Sequence, residues 1–427
     1  MRIAIVGAGV SGLTCAHLLH RAHDVIVFEA ADTAGGHANT VDVQTSGEVH
    51  RVDTGFIVFN DRNYPGFQRL LAELGVPTQP STMSFGVSDG RGFEYNGASP
   101  NGLFACRRNL VSPAFHGMIA DLARFNRDAR RLLRSDADPS LGEWLTEGGY
   151  GQMFVERLIV PQVSAVWSAD PRARWSFPAR FLAEFFDNHG MLGLRRRPRW
   201  RTVWGGSRTY VEAVTRPWRS DLRLATPVEE IRRTPDGVTV VTQRHGQERF
   251  DAIVLATHSD QALALLSDPA DREGEILGAI PYQANQAVLH TDSAMLPRRR
   301  RAWASWNYHL RPDPHGPPTV TYHMNRLQSL DAEVELCVTL NRSDEIDPAR
   351  IIARFDYAHP VFTHAGIAAQ RRHAEISGVR RTHYCGAYWR YGFHEDGVVS
   401  ALQALSRFDE CCRQEAGHAQ RALSRLA

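Results

Sequence analysis

The apolar and polar positions of this chain follow two rhythms, period two and a helical period, and their order sketches the elements. Arg2–Val6 (Arg-Ile-Ala-Ile-Val) is a short apolar run that predicts a buried strand, and Asp24–Phe28 predicts a second. Between them, residues 13–20 have helical spacing. Residues 40–52 alternate on both sides of Ser46-Gly47 and predict a hairpin; residues 52–60 predict a strand containing one glycine. Helical spacing returns at 64–74 and stops at Gly75, and residues 83–95 read as two strands around Asp89-Gly90. The longest helical pattern, 113–133, places Phe115, Met118, Leu122, Phe125 and Ala129 on one broad stripe. Helices are also predicted over 141–144, 155–160 and 180–186. Trp204-Gly205-Gly206-Ser207 then opens a helix through Tyr210 and Val214. Residues 227–233, 238–243 and 250–256 predict a three-stranded meander, and 284–290, 302–309, 319–325 and 334–341 an antiparallel sheet. A short strand ending at Gly386 precedes a helix opening at Gly397, and residues 414–427 read as a frayed amphipathic tail.

The first strand runs straight into Gly7-Ala8-Gly9-Val10-Ser11-Gly12, a G-x-G-x-x-G turn before a helix, and the second strand ends at Glu29, seventeen residues beyond Gly12. Strand, glycine turn, helix, strand and acid is the order a dinucleotide site needs. Gly7 permits the tight turn, Gly9 lets backbone approach a pyrophosphate, and Gly12 lets helix pack on strand. The helix start, with Ser11 in its first turn, offers free N–H groups to phosphate. Glu29 can accept hydrogen bonds from ribose hydroxyls. A further pair, Gly35-Gly36, follows with His37. A second close backbone approach beyond the ribose suits FAD better than NAD, and only one such fingerprint is visible.

Length and composition narrow the reading. The 427 residues point to two intertwined domains, and 43% hydrophobic residues suffice for a large core. The apolar start lacks a basic leader, and no run reaches the ~18 apolar residues of a spanning helix. Six cysteines without a C-x-x-C pair read as free thiols of a reducing cytosol, so a redox cysteine pair is not expected; neither is a metal site. A net charge of +2 gives no sign of nucleic acid. All 49 basic residues are arginine, which excludes a Schiff-base lysine. The arginines cluster at Arg195–Arg197 with Arg199 and Arg201, and at Arg298–Arg301; solvated loops explain such runs, and an anionic membrane surface is the functional alternative.

The acid followed after six residues by Gly-Gly resembles the extended fingerprint of the FAD-dependent amine oxidase–phytoene desaturase superfamily, in which Arg more often stands where this chain has His37. Asp53-Thr54-Gly55-Phe56, the 204–207 turn, the 227–256 meander and the block from His383 through Asp396-Gly397-Val398 to Leu402 resemble it too. The resemblance implies an α/β fold: a Rossmann-like FAD-binding domain with parallel sheet and β-meander (1–60, 202–265 and 378–427), interleaved with an α+β substrate or cap domain (61–201 and 266–377). It implies that Gly55 and Phe56 run beside the flavin and that Val228 presents backbone to the adenine. Gly386 would contact ribityl and pyrophosphate, and the helix starting near Asp396, Gly397 and Val398 would point at the flavin ring. Gly35-Gly36-His37, Val52 to Phe56, Asn63-Tyr64-Pro65, residues 104–109 and Tyr391 to Gly397 are also similar to a bacterial group described only as NAD/FAD-binding proteins. That group often accompanies cyclopropane-fatty-acid synthases, which implies a fatty acyl or other apolar lipid substrate.

The expectation is an FAD-dependent oxidoreductase that takes hydride from an apolar substrate, located in the cytoplasm or peripheral to the inner membrane face. The rivals are a flavin-dependent double-bond isomerase, a non-catalytic flavoprotein partner of a lipid methyltransferase, and an amine oxidase. His394 and Glu395, just before the last helix, are the first candidates for acid or base work. Tyr308 and His323, on sheet positions where polar residues alternate with aromatics, are the second.

Overall fold

In a computed structural model of the chain, every residue is described except 168–172, 194–196, 312, 314, 315 and 427. Arg195 and Arg196 of the first arginine cluster therefore lie outside the described residues.

The two N-terminal apolar runs pair as parallel strands, Arg2–Val6 against Asp24–Phe28, because an all-apolar strand needs cover on both faces. Ala252–Leu255 and Thr382–Tyr384 extend this sheet on one side and Leu222–Arg223 on the other, all in parallel. Ile3 and Ile5 face a core shared with the helix Val10–Leu19 and the last helix, while Ala4 and Val6 face the meander. The meander is Val228–Thr234, Gly237–Thr242 and Gly246–Phe250. The run predicted over 250–256 is thus divided: Phe250 ends the meander, a turn follows at Asp251, and the apolar stretch beyond enters the parallel sheet.

The second large sheet has seven strands, in the order Ile351–Pro360, Tyr282–His290, Cys337–Leu340, Thr319–His323, Trp306–His309, Phe85–Ser88 and Glu94–Asn96. The edge strand Ile351–Pro360 was not foreseen. The strand predicted over 319–325 ends early, at His323, and Asn325 lies in a helical turn, bonded to Val334 and Leu336. Above this sheet pack the helices Pro113–Leu132, Leu141–Glu147, Val160–Trp167 and Ala179–Asn188. Phe115, Phe125, Phe154, Phe181 and Phe185 form their core. The Ser112 hydroxyl caps the first of these helices, and a Ser140–Glu143 capping box starts the second. The chain ends in one continuous helix, His394–Leu426, where a frayed tail was expected from 414 onward.

The strand predicted over 52–60 is also corrected. It stops at Asp53; residues 54–58 run without regular pairing, and Phe59–Asn60 joins a small sheet with Trp200–Val203 and Thr78–Pro80. At the break sits the buried carboxyl of Asp53. Thr40 Oγ1, Ser207 N and Ser207 Oγ donate to one oxygen at 2.6, 2.9 and 2.7 Å, and Gln328 Nε2 donates to the other at 3.0 Å. Burial raises this carboxyl to about 6 in spite of its donors. Removing it would strand four donors. Asp53→Ala is expected to cost about 2–4 kcal/mol, the range for charged hydrogen-bond partners left unsatisfied in an interior. The urea unfolding midpoint measures it, and an unchanged midpoint would show that water replaces the carboxylate.

Candidate functional site

The glycine turn works by backbone contact. Gly7 has φ +100° and lies against the Ala256 backbone, and a Cβ on Gly12 would overlap the Gly7 carbonyl. Beside Gly9 a Cβ would meet nothing within 4 Å, so the space outside the turn is open there. No side chain caps the helix Val10–Leu19, whose first N–H groups therefore keep their donors free of side-chain acceptors. Gly36, at φ +58°, sits with its would-be Cβ 3.3 Å from the Gly9 Cα. Gly35 N donates to Ala8 O at 2.8 Å. Gly397 approaches Val10 and Ser11 so closely that a side chain there would collide with both. Two helix N-termini thus converge beside an open, uncapped turn, and this arrangement fits an anionic diphosphate.

Glu29 closes the other end. Its Oε2 accepts from Ala8 N at 2.7 Å and its Oε1 from Ala31 N at 2.9 Å. Thr226 N donates to the Glu29 carbonyl at 2.8 Å, which brings the start of the Val228 strand to the acid. Gly386 N, at the end of the last parallel strand, donates to Ser400 Oγ at 2.9 Å, and Val398 is buried on the same helix.

Phe56 and His394 meet at the start of the last helix, their rings stacked with centroids 3.5 Å apart. Phe56 N donates to His37 O at 2.6 Å, and Gly55 packs on that same carbonyl. Tyr210 Oη lies 2.9 Å from His394 Nε2, and burial holds the His394 imidazole well below its ordinary pKa, hence neutral. Glu395 is committed differently from its expected acid–base work. Its two oxygens accept from Gly66 N and Phe67 N at 2.9 and 2.8 Å, so the carboxylate caps the helix Pro65–Glu73 from a distance in sequence. Asp396 accepts from Phe393 N at 2.9 Å, and burial raises it to about 6. The second pair of candidates sits elsewhere. Tyr308 belongs to the apolar cluster beneath the cap helices, and His323 Nε2 meets Glu335 at 2.6 Å with the Trp303 ring edge-on beside it.

One group was missed in the sequence. His37 stacks on Tyr357 at 4.9 Å and lies 5.3 Å from His359 and 6.4 Å from His258; His258 in turn stacks on Tyr282 at 4.5 Å. Tyr357 Oη is 2.9 Å from Thr54 Oγ1 and accepts from Asn39 Nδ2 at 3.2 Å. Burial pushes His37 down to about 3 and His359 to about 4. Tyr357 and His359 share a face of the strand Ile351–Pro360, a period-two signal that could have marked this strand in the sequence. A second surprise is a thiol pair: Cys15 Sγ and Cys385 Sγ lie 3.8 Å apart and fully buried, though 370 residues separate them in the chain. Among the described residues no group of His, Cys, Asp or Glu is placed to hold a metal ion.

These neutral imidazoles set a pH dependence. Unfolded histidines take up protons near 6.5, whereas His37, His359 and His394 in the folded chain do not until far lower pH, so their contribution to stability is lost as pH falls through 6.5. Asp53 and Asp396 act in the opposite sense, because the folded chain protonates them near 6, before the unfolded chain does. His189, His290 and His383, lowered to about 4, and His309, lowered to about 3, add to these three against the two carboxyls, so the urea midpoint of the ligand-free protein is expected to drop between pH 7 and pH 4.5. A flat profile would mean that the imidazoles are hydrated.

Comparison with known proteins adds the family. Residues 10–297 match the model of the flavin containing amine oxidoreductases. A Mycobacterium tuberculosis protein with the provisional name flavin-containing monoamine oxidase AofH is 27% identical over 321 residues, 71% of this chain and 65% of that protein. The carotenoid phi-ring synthase of Streptomyces griseus is 26% identical over 320 residues, 70% of this chain and 59% of that one. The matches thus span less than two thirds of the length of these relatives. In fold, the chain is similar to cyclohexylamine oxidase from Brevibacterium oxydans (TM-score 0.70, 16% identity, covering 96% of this chain and 99% of that one). It is also similar to a CLA-producing fatty acid isomerase from P. acnes (TM-score 0.66, 17% identity, covering 95% and 98%).

Proposed function

The chain belongs to the flavin containing amine oxidoreductases, a family whose cofactor is FAD, and from that premise we propose that it oxidises an apolar substrate, an unsaturated or modified fatty acyl chain. The observation that carries the reading is the aromatic wall where the cap meets the proposed flavin cradle. Phe393, one residue before the last helix, stacks on Phe185 at 5.2 Å, and Tyr391 packs on Phe181 at 4.6 Å. Trp167 Nε1 donates to Tyr391 O at 3.1 Å, fixing the loop to the cap. Rings on this scale bind hydrocarbon through buried apolar area, and the neighbouring carboxylate, Glu184, is already engaged by Tyr391 Oη and Arg180.

Bound flavin supplies the two-electron acceptor for this chemistry. In the proposal, the backbone at Gly9, Val10, Ser11 and Gly12 holds the diphosphate, and Glu29 turns to the ribose hydroxyls. The Gly35-Gly36 turn and Gly386 line the cofactor's length, the Val228 backbone meets the adenine, and the last helix at Asp396, Gly397 and Val398 faces the ring edge. His37, carrying no charge at neutral pH, offers the cofactor a hydrogen bond from Nε2, an atom buried without a partner. Phe56 and His394 position the ring side of the cavity, and the His394–Tyr210 hydrogen bond holds one proton between Nε2 and Oη away from solvent. Phe185 and Phe393 exclude water. In this arrangement Glu395 is a positioning residue through Gly66 and Phe67.

A second reading is a double-bond isomerase without net redox, since a fold like this one also serves a fatty acid isomerase. The test is the absorbance spectrum of the purified protein, then anaerobic addition of unsaturated phospholipid. Bands near ~370 and ~450 nm are expected from the bound cofactor. Bleaching by lipid is the expected result. A band that persists while a double bond moves in the recovered lipid would favour isomerisation. Bleaching by simple amines and not by lipid would overturn the acyl-chain reading in favour of an amine oxidase.

A further inference from the structure

The helical turn Arg107–Val111 stands at the foot of the cap helix Pro113–Leu132 and leaves two aliphatic side chains in water, Leu110 at 51% and Val111 at 82% exposure. His116 Nε2 meets the Leu110 carbonyl at 2.9 Å, so the tip is tied to the first turn of the cap helix. The second arginine cluster of the sequence, more than 180 residues further on, comes to the same place. Arg301 Nε donates to Ala105 O at 2.8 Å, two residues before Arg107. Arg299 pairs with the buried Glu94, which consumes the nearby carboxylate. Arg107, Arg108, Arg298, Arg300 and Arg301 are exposed, and among the described residues none of them has an ion pair. Arg107 spends its guanidinium on Asn101 Oδ1 and Phe104 O, and Arg300 lies over the Trp303 ring.

We propose that this face, the Leu110–Val111 tip with Arg107 and Arg108 on its own turn and Arg298, Arg300 and Arg301 on the segment tied to Ala105, docks the protein on an anionic lipid bilayer. Unpaired cations alone would suit any polyanion. The exposed aliphatic pair beside them selects a bilayer, because only there do side chains enter hydrocarbon while neighbouring guanidiniums stay at the phosphate level. No helix among the described residues is long and apolar enough to cross a membrane, so the contact is a surface one. The proposal does not depend on the substrate reading.

The experiment is co-sedimentation of the flavin-loaded protein with vesicles of phosphatidylcholine, with and without one third phosphatidylglycerol. Binding is expected only with the anionic lipid and is expected to weaken with salt. Each arginine near the surface contributes about five-fold, so Arg107→Ala with Arg108→Ala is expected to reduce binding on the order of 30-fold. Leu110→Ser with Val111→Ser should remove the part of the binding that survives high salt. Both double variants keep the flavin spectrum, since neither pair touches the proposed cofactor cradle. Failure of the unaltered protein to sediment with anionic vesicles would overturn the proposal, as would arginine variants that bind equally well. Salt-sensitive binding to single-stranded DNA without any binding to vesicles would also overturn it.

Discussion

A carboxylate buried at Asp53 sets the geometry on which the candidate site rests. An unpaired charge there would be too costly to bury, and the chain answers with donors from three distant stretches: Thr40, Ser207 and Gln328. Each donor comes from a different layer. Thr40 opens the hairpin, Ser207 starts the helix after the second glycine turn, and Gln328 follows a strand of the large sheet. The Asp53 N–H is held as well, by Gln328 Oε1 at 2.8 Å. Beyond this knot the backbone keeps the hairpin register through single bonds, Thr54 N to Asn39 O at 2.9 Å and Phe56 N to His37 O at 2.6 Å, and Phe56 then meets His394. The knot thus anchors, through one buried carboxyl, the start of the backbone that runs between His37 and His394.

The parts of the fold legible in the sequence are those whose cause is local. The G-x-G-x-x-G turn, the acid at Glu29 and the hairpin over Ser46-Gly47 follow from backbone sterics and period-two alternation, and the structure places them within a residue or two. What was not legible depends on pairs far apart in the chain. Asp53 looks like an ordinary strand terminus until Ser207 is known to touch it. Ile57 and Val58 read as strand because they are apolar, yet they are buried by packing against the large sheet and not by pairing. Glu395 lies beside a plausible acid–base histidine, and nothing in its neighbourhood shows that Gly66 and Phe67 will claim both of its oxygens. The thiols of Cys15 and Cys385 defeat spacing rules for the same reason, since a helix and a strand end bring them together. The imidazole cluster was hidden twice, by distance and because its carrier strand, Ile351–Pro360, is half-exposed at a sheet edge.

The electrostatics of the site follow from burial. His37, His359 and His394 are held neutral, Asp53 and Asp396 are raised toward neutrality, and Glu29 and Glu395 are occupied by backbone N–H groups. The chain has no lysine to place there. Very little side-chain positive charge is then available to a dianionic diphosphate. That burden falls on peptide dipoles, and the glycines explain how they reach it. Gly12 and Gly397 let two helix N-termini lie within contact of each other, and Gly36 lets the following turn press against Gly9. Partial charges of this kind are fixed in place and need no counter-ion to be displaced when the cofactor binds. In the proposed reading, a cradle built from backbone also leaves its side chains free to differ, as at His37 after Gly36. On the cap side the wall beside Phe393 is aromatic, and its carboxylate, Glu184, is engaged by Tyr391 Oη at 3.2 Å and by Arg180. On the same proposed reading, an interior that is mostly apolar on the substrate side and dipolar on the cofactor side favours a hydrocarbon chain over an ionic substrate, and this asymmetry is the physical basis for proposing an acyl chain there.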